Sequence, residues 1–163
     1  WIDHLLQNII GLLILGTAAE RYLKTKHYLV IFFVFSVVSN VAAWLYISQF
    51  YPSPESVSGA SGSVYAFGAF YAVHAWKSGD IQFSDKPGFL EAYIEMITTP
   101  KWLVWLAGIA VIIHGLGMSL ADIGGIVGSS ETAHLGHGTG VVLGFLLAYS
   151  VRDDWLREST RQT

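Results

Sequence analysis

The sequence predicts an all-α protein, a polytopic bundle of transmembrane helices. Hydrophobic residues make up 53% of the 163 positions and charged residues only 13%, whereas charged residues make up about 25% of a typical soluble domain. The charged residues also cluster, which leaves long apolar runs almost free of them. A soluble chain of this length would spread its charges over one compact domain. Embedding in a membrane explains this composition better.

Five apolar segments are long enough, or nearly long enough, to cross a bilayer, which takes about 20 residues. They are residues 3–23, 27–47, 61–76, 102–119 and 133–151. The third rises only about 24 Å, against a hydrocarbon core of about 30 Å. We therefore expect it to begin below the membrane surface. Backbone at that depth must lie inside protein or beside water, so loop 48–60 is expected to dip into the protein.

The basic residues indicate the orientation of the helices. All nine Lys and Arg lie in segments that alternating helices put on one side: Arg21, Lys24, Lys26, Lys77, Lys86, Lys101, Arg152, Arg157 and Arg161. The positive-inside rule makes that side cytoplasmic. Residues 1–151 are then a transmembrane domain and residues 152–163 a cytoplasmic tail. The first, third and fifth helices all begin on the outer side.

The bulk properties exclude several classes of function. A formal net charge of −3, without a basic stripe, argues against a nucleic-acid partner. The absence of cysteine excludes disulfides and thiolate catalysis. Glu131, His134 and His137 are spaced by three and could share a helix face, but the His-Glu-x-x-His signature of zinc proteases is absent. We expect no metal and no other cofactor, while the lipid bilayer is the partner that the composition requires.

A serine between glycines begins the short third helix. Residues 59–62 read Gly-Ala-Ser-Gly, and the glycines would let backbone N–H groups approach a carbonyl oxygen beside Ser61. Ser61 is therefore a candidate nucleophile. The alternative is a glycine-rich helix start in which Ser61 serves as an N-cap or a packing residue.

A histidine at the start of the last helix is the candidate base. His134 is costly to bury in a membrane segment, which favours a function, and neutral imidazole can accept the proton of a serine hydroxyl. We predict that Ser61 and His134 form a dyad. Tyr65 lies four residues after Ser61, on the same helix face, and its ring could stack on His134. The alternatives are a histidine hydrogen-bonded between helices and a tyrosine in ordinary core packing.

Two further sequence patterns are consistent with a catalytic dyad of Ser61 and His134. Gly136, Gly140 and Gly144 form a ladder of the kind that lets membrane helices approach closely, although packing without catalysis would produce the same ladder. His4 and Asn8 lie four apart near the outer end of the first helix, and both can donate hydrogen bonds to an oxyanion. A polar contact between helices is the alternative for that pair.

Taken together, these motifs resemble the rhomboid family of intramembrane serine proteases. The matching elements, in the family's order over about residues 1–151, are His4-x-x-x-Asn8, Gly59-Ala60-Ser61-Gly62 with Tyr65, and Ala133-His134 with the glycine ladder. The resemblance implies that Ser61 is the nucleophile and His134 the general base and later the acid. It also implies an oxyanion hole made by the Ser61 N–H, His4 and Asn8, with Gly59 and Gly62 flanking the serine and Tyr65 supporting His134. One departure is His137, which stands where family members often have glycine.

The resemblance also implies the class of substrate, the number of the family's helices that this chain holds and the membrane in which the protein lies. The substrates would be membrane-anchored proteins whose transmembrane segment unwinds near its outer end, and either the last helix or helix 102–119 would gate their entry. The chain would hold five of six or more helices, with one helix expected before Trp1. A bacterial or archaeal plasma membrane is favoured, with the site opening to the outer side. The oligomeric state is not indicated.

Two other functions remain open at this point. One is a catalytically inactive rhomboid-like protein that binds membrane clients. The other is a channel or transporter with Ser61, His134 and His4 lining a pore, although no inverted repeat supports it. We expect His74 and His114 to fill core or interface positions.

Overall fold

The computed structural model describes residues 2–50, 59–82, 91, 94, 96, 98–124 and 134–157. Within these ranges the regular structure is helical, which confirms the all-α class. The elements are α1 (Ile2–Gly11), a π-helical turn (Leu12–Gly16), α2 (Thr17–Glu20), α3 (Thr25–Phe50), α4 (Ser61–Lys77), α5 (Pro100–Ile123), α6 (His134–Ser150) and a 3₁₀ turn (Asp153–Trp155). Much of the predicted loops 48–60 and 77–101, including the expected dip, lies outside the described residues.

The first predicted helix, residues 3–23, is interrupted by a π-helical turn between α1 and α2. Such turns are rare and are often found at functional sites. The helix nevertheless continues, because the residues that flank the turn keep right-handed helical backbone angles. A Cβ at Gly11 would lie 2.6 Å from Cγ1 of Val64, so glycine allows α1 to lie directly against α4.

The short helix α4 lies at the centre of the bundle. Ala66, Phe67, Ala69 and Phe70 have no exposed surface, and α4 packs against α1, α3, α5 and α6. A helix enclosed by its neighbours is apolar over most of its surface, and most residues of α4 are small or apolar. This position explains how a helix of 17 residues can be shorter than a full membrane span.

The outer helices carry the apolar surface that faces lipid. Among the described residues, Ile2–Glu20, Thr25–Gln49 and Pro100–Ile123 are long and apolar enough to cross a membrane. Large apolar side chains such as Leu13, Phe33 and Ile113 are 65–68% exposed. Surfaces of this kind are unfavourable in water and mark contact with a partner or a membrane. The protein is an integral membrane protein.

The basic ends of the helices meet at one end of the bundle. Lys77 Nζ donates to the Ala148 carbonyl at 2.8 Å, which joins the ends of α4 and α6. Lys101 Nζ donates to the Asp80 carbonyl at 3.1 Å, and the Tyr22 hydroxyl donates to Asp80 Oδ2 at 2.6 Å. The end of α2, the end of α4 and the start of α5 are therefore held together by polar contacts on the side predicted to be cytoplasmic.

The segment after α6 packs on that same end. Lys24 N donates to the Trp155 carbonyl at 2.9 Å, and the Trp155 ring stacks on His27 with centroids 4.9 Å apart. Arg157 Nη2 lies 3.1 Å from Glu20 Oε1. The predicted tail, residues 152–163, is described only as far as Arg157, and up to there it is docked on the turn between α2 and α3.

Candidate active site

Ser61 is the first residue of α4, and its hydroxyl does not cap the helix. The N-cap is Ala60, and no side chain forms a cap hydrogen bond there. Ser61 Oγ is instead 3.1 Å from His137 Nε2. The structure therefore disfavours the N-cap interpretation of Ser61 and places its hydroxyl against an imidazole on the last helix.

The histidine beside Ser61 is His137 and not His134, so the predicted pair is corrected. His137 is 8% exposed, lies one turn further along α6 than His134, and makes the 3.1 Å contact from inside the bundle. The predicted stack of Tyr65 on His134 is corrected in the same way. The Tyr65 ring lies parallel to that of His137, with an interplanar angle of 1° and centroids 4.2 Å apart.

The rotation of α6 explains which histidine faces α4. At about 100° per residue, His137 lies about 60° from Gly140 and about 20° from Gly144 around the helix axis, whereas His134 lies about 120° and 80° away. A Cβ at Gly140 would overlap the Gly62 carbonyl of α4, and one at Gly144 would overlap the Ala66 carbonyl. The glycines thus mark the face of α6 that packs on α4, and His137 is the histidine nearest that face.

His134 faces α5 instead. Its carbonyl accepts a hydrogen bond from Ser119 Oγ at 2.6 Å, and Gly138, one turn on, also packs against Ser119. The His134 ring is buried, with its centroid 5.9 Å from that of His137 and 6.3 Å from that of His114. Its Nδ1 has no hydrogen-bond partner among the residues that the structure describes. His134 therefore neighbours the site without reaching the serine.

The predicted glycine ladder packs against two different helices. Gly140 and Gly144 pack against α4. Gly136 packs on α3, where a Cβ would lie 3.3 Å from the Ser39 carbonyl and 3.4 Å from the Ala43 Cβ. Ser39 also meets Gly62 from the other side. Small residues thus bring α3, α4 and α6 together at the level of Ser61.

Helix α1 brings His4 and Asn8 to the same place. Asn8 Nδ2 is 3.2 Å from His4 Nε2. A Cβ built on Gly59 would lie 3.3 Å from His4 Cε1, 3.8 Å from Ser61 Oγ and 3.9 Å from Asn8 Nδ2. The space beside the Gly59 Cα is therefore bordered by the serine and by both polar side chains. Glycine leaves this space open, and its φ of 146° is one that other residues rarely adopt.

Asn40 on α3 holds the backbone at Gly59. Its Nδ2 donates to the Gly59 carbonyl at 3.0 Å, two residues before the serine. Asn40 has no functional signal in the sequence, since it is a single amide in the middle of an apolar helix with no motif spacing around it. The contact fixes the backbone that leads into α4.

In the described part of the chain, no set of three His, Cys, Asp or Glu side chains is placed to hold a metal ion. Glu131, which could have shared a face with His134 and His137, lies outside the described residues. The contacts that the structure shows for the neighbouring His114 and His137 are hydrogen bonds and a ring stack.

Comparison with known families gives the class of the protein. The family model of the rhomboid domain matches residues 2–153. The chain therefore belongs to the rhomboid family, whose members are typically intramembrane serine proteases. No curated protein and no solved structure matches the chain.

Proposed function

We propose that this protein is an intramembrane serine endopeptidase that cleaves transmembrane segments of membrane-anchored proteins with a dyad of Ser61 and His137. The observation that carries the proposal is the 3.1 Å contact between Ser61 Oγ and His137 Nε2 at the start of a buried helix. A nucleophile within hydrogen-bond distance of a base, with the base held by a third group, is the arrangement that activates a serine. Here the third group is the ring of Tyr65.

Acylation begins with Ser61 Oγ attacking the carbonyl carbon of the scissile peptide. His137 Nε2 takes the hydroxyl proton as the C–O bond forms. The imidazolium that results lies 4.2 Å from the Tyr65 ring, whose face is electron-rich and stabilises a cation. His137 then gives the proton to the leaving amide nitrogen, the C–N bond breaks, and the acyl group stays on Ser61.

The tetrahedral intermediate carries a negative charge on the former carbonyl oxygen. The backbone N–H of Ser61 and the side chains of His4 and Asn8 are the donors for that charge. His4 and Asn8 border the open space at Gly59, beside Ser61 Oγ. Donors held in place before the reaction lower the barrier because they need no reorganisation when the charge forms.

Deacylation repeats these steps with water as the nucleophile. His137 takes a proton from the water, the hydroxide attacks the ester carbonyl, and the proton returns to Ser61 Oγ as the C–O bond to the serine breaks. The site lies at the bundle end opposite Lys77, Lys101 and Arg157, and the positive-inside rule supports a position toward the outer side. A substrate must therefore unwind near its outer end to present an extended peptide to Ser61.

The experiment is cleavage of a single-span substrate in proteoliposomes by the wild type and by Ser61→Ala. The substrate carries glycines or prolines near the outer end of its helix, and mass spectrometry locates the cut. The proposal predicts cleavage within the membrane segment by the wild type and none by Ser61→Ala. Binding of the substrate by both proteins, with cleavage by neither, would instead indicate a catalytically inactive family member.

A further inference from the structure

We infer that His114 on α5 is a positioning residue for the catalytic histidine and that it acts through Tyr65. The inference rests on the proposed function and extends it to a helix that contributes nothing to the dyad or to the oxyanion donors. Its basis is a chain of contacts through three helices. His114 Nδ1 is 2.7 Å from the Tyr65 hydroxyl, the Tyr65 ring stacks on His137, and His137 Nε2 meets Ser61 Oγ.

The stacked geometry alone leaves the Tyr65 ring free to slide or tilt. Stacked aromatic rings occur over a range of offsets and centroid distances, whereas a hydrogen bond at the end of the ring fixes its position. The hydroxyl contact with His114 supplies that constraint. The two rings that it supports are parallel to within 1°, so His114 sets the surface against which His137 is oriented.

His114 does not orient His137 directly. Their ring centroids are 6.4 Å apart at an interplanar angle of 42°, which is neither a stack nor a hydrogen bond. The His114 and Tyr65 rings are likewise tilted at 42°, with centroids 5.9 Å apart. The hydroxyl contact is therefore the route by which His114 can act on His137.

The packing of α5 brings His114 within reach of Tyr65. At Gly115, a Cβ would lie 2.8 Å from Tyr65 Cδ1 and 2.9 Å from Val141 Cγ2. At Gly108, two turns earlier, a Cβ would lie 2.8 Å from the Gly68 carbonyl. The two glycines share a helix face, since seven residues return to within about 20° of the same direction. They let α5 pack closely on α4, which links the position of α5 to the orientation of His137.

The alternative is that His114 only stabilises the packing of α5. Purified proteins with His114→Leu, His114→Asn, Tyr65→Phe and the double change His114→Leu/Tyr65→Phe separate the two roles. Tyr65→Phe keeps the stacked ring and removes only the hydroxyl. His114→Asn keeps a hydrogen-bonding atom at the δ position. Ile113→Ala is the matched control, because Ile113 is the neighbouring residue and is 68% exposed.

The expected result is a loss in kcat with little change in KM. Both His114→Leu and Tyr65→Phe should lower kcat about three- to tenfold, which is the effect of one hydrogen bond. The double variant should be no slower than either single variant, since all three lack the same contact. His114→Asn should recover most of the rate, and Ile113→Ala should match the wild type. The inference would be overturned if the losses in kcat of the two single variants multiplied in the double variant. It would also be overturned if kcat across the variants followed their thermal stability alone.

A second measurement does not depend on proteolysis. In protein labelled with ¹⁵N-histidine, the resonance of the His114 ring is identified as the one that is missing from the spectrum of His114→Asn. Tyr65→Phe should change the chemical shift of that resonance. An unmoved resonance would show that the contact with Tyr65 does not form, whether or not the protein is active. An inactive wild type with the expected spectral shift would instead refute the proposed function and leave the contact established.

Discussion

Replacing Gly140 by alanine should inactivate the protein by moving the last helix away from Ser61. Gly140 faces the first turn of α4, where a Cβ would overlap the Gly62 carbonyl oxygen and lie 3.0 Å from its carbon and 3.2 Å from its Cα. All three are backbone atoms of a buried helix, so no side chain can rotate to make room. The two helices must move apart.

The size of the effect follows from that overlap. Removing it takes a shift of roughly 1 Å between densely packed helices, and overpacking of this kind costs about 1–3 kcal/mol of stability. The shift also lengthens the contact between Ser61 and His137 from 3.1 Å to about 4 Å, beyond hydrogen-bonding distance. A misplacement of about 1 Å can lower a catalytic rate about 100-fold. Activity should therefore fall about 100-fold, and the loss should persist at temperatures at which the variant is still folded.

The assay is cleavage of the single-span substrate together with thermal unfolding in detergent, both compared with the wild type. Gly117→Ala is the matched control, because a Cβ at Gly117 meets nothing within 4 Å. That change should be neutral or stabilising by up to about 1 kcal/mol. If Gly140→Ala cleaved substrate within twofold of the wild-type rate, the proposed packing of α6 on α4 would be refuted.

Three further substitutions test other parts of the structure. Gly59→Ala should lower kcat at least about tenfold, since its φ of 146° strains any other residue and its Cβ would lie 3.3 Å from His4 Cε1; wild-type kinetics would contradict this. Asn40→Leu removes the donor to the Gly59 carbonyl and should lower the free energy of unfolding by about 1 kcal/mol. An unchanged melting temperature would count against that role of Asn40. Burial, and after it the hydrogen bond to Asp80, raise the pKa of Tyr22 above its usual 10.0. The folded state therefore keeps a proton that the unfolded state releases, so stability should fall as the pH rises past about 10; Tyr22→Phe should reduce that fall, and equal slopes would refute the assignment.

The sequence predicted the architecture because membrane helices follow from local composition. The helix predicted over residues 61–76 is observed as Ser61–Lys77, and the one predicted over 102–119 as Pro100–Ile123. The features that could not be predicted from the sequence also have a physical cause. The π-helical turn at Leu12–Gly16 depends on how the first helix packs against its neighbours, and an unbroken apolar run does not show it.

The choice between His134 and His137 could have been made from the spacing of the glycines. A histidine three residues before Gly140 and seven before Gly144 shares their helix face, and a packed dyad needs that face. His134 is more prominent in the sequence because it stands at the start of the helix, but position along a helix does not determine direction around it.

The roles inferred for His114 and Asn40 had no comparable signal. Each role rests on one hydrogen bond to a residue distant in sequence, to the Tyr65 hydroxyl in one case and to the Gly59 carbonyl in the other. Contacts of this kind depend on how α3 and α5 pack against α4, which only the assembled bundle defines. His114, expected at a core or interface position, lies at an interface and forms a specific hydrogen bond there.

The most direct test of the dyad is labelling of the detergent-solubilised protein with a fluorophosphonate probe, which reacts with activated serines. The variants are Ser61→Ala, His137→Ala and His134→Ala, each checked for folding by thermal unfolding. The 3.1 Å contact predicts that the wild type is labelled, that Ser61→Ala and His137→Ala are not, and that His134→Ala keeps measurable labelling. Labelling that persists in His137→Ala but disappears in His134→Ala would contradict the dyad and return the catalytic role to His134.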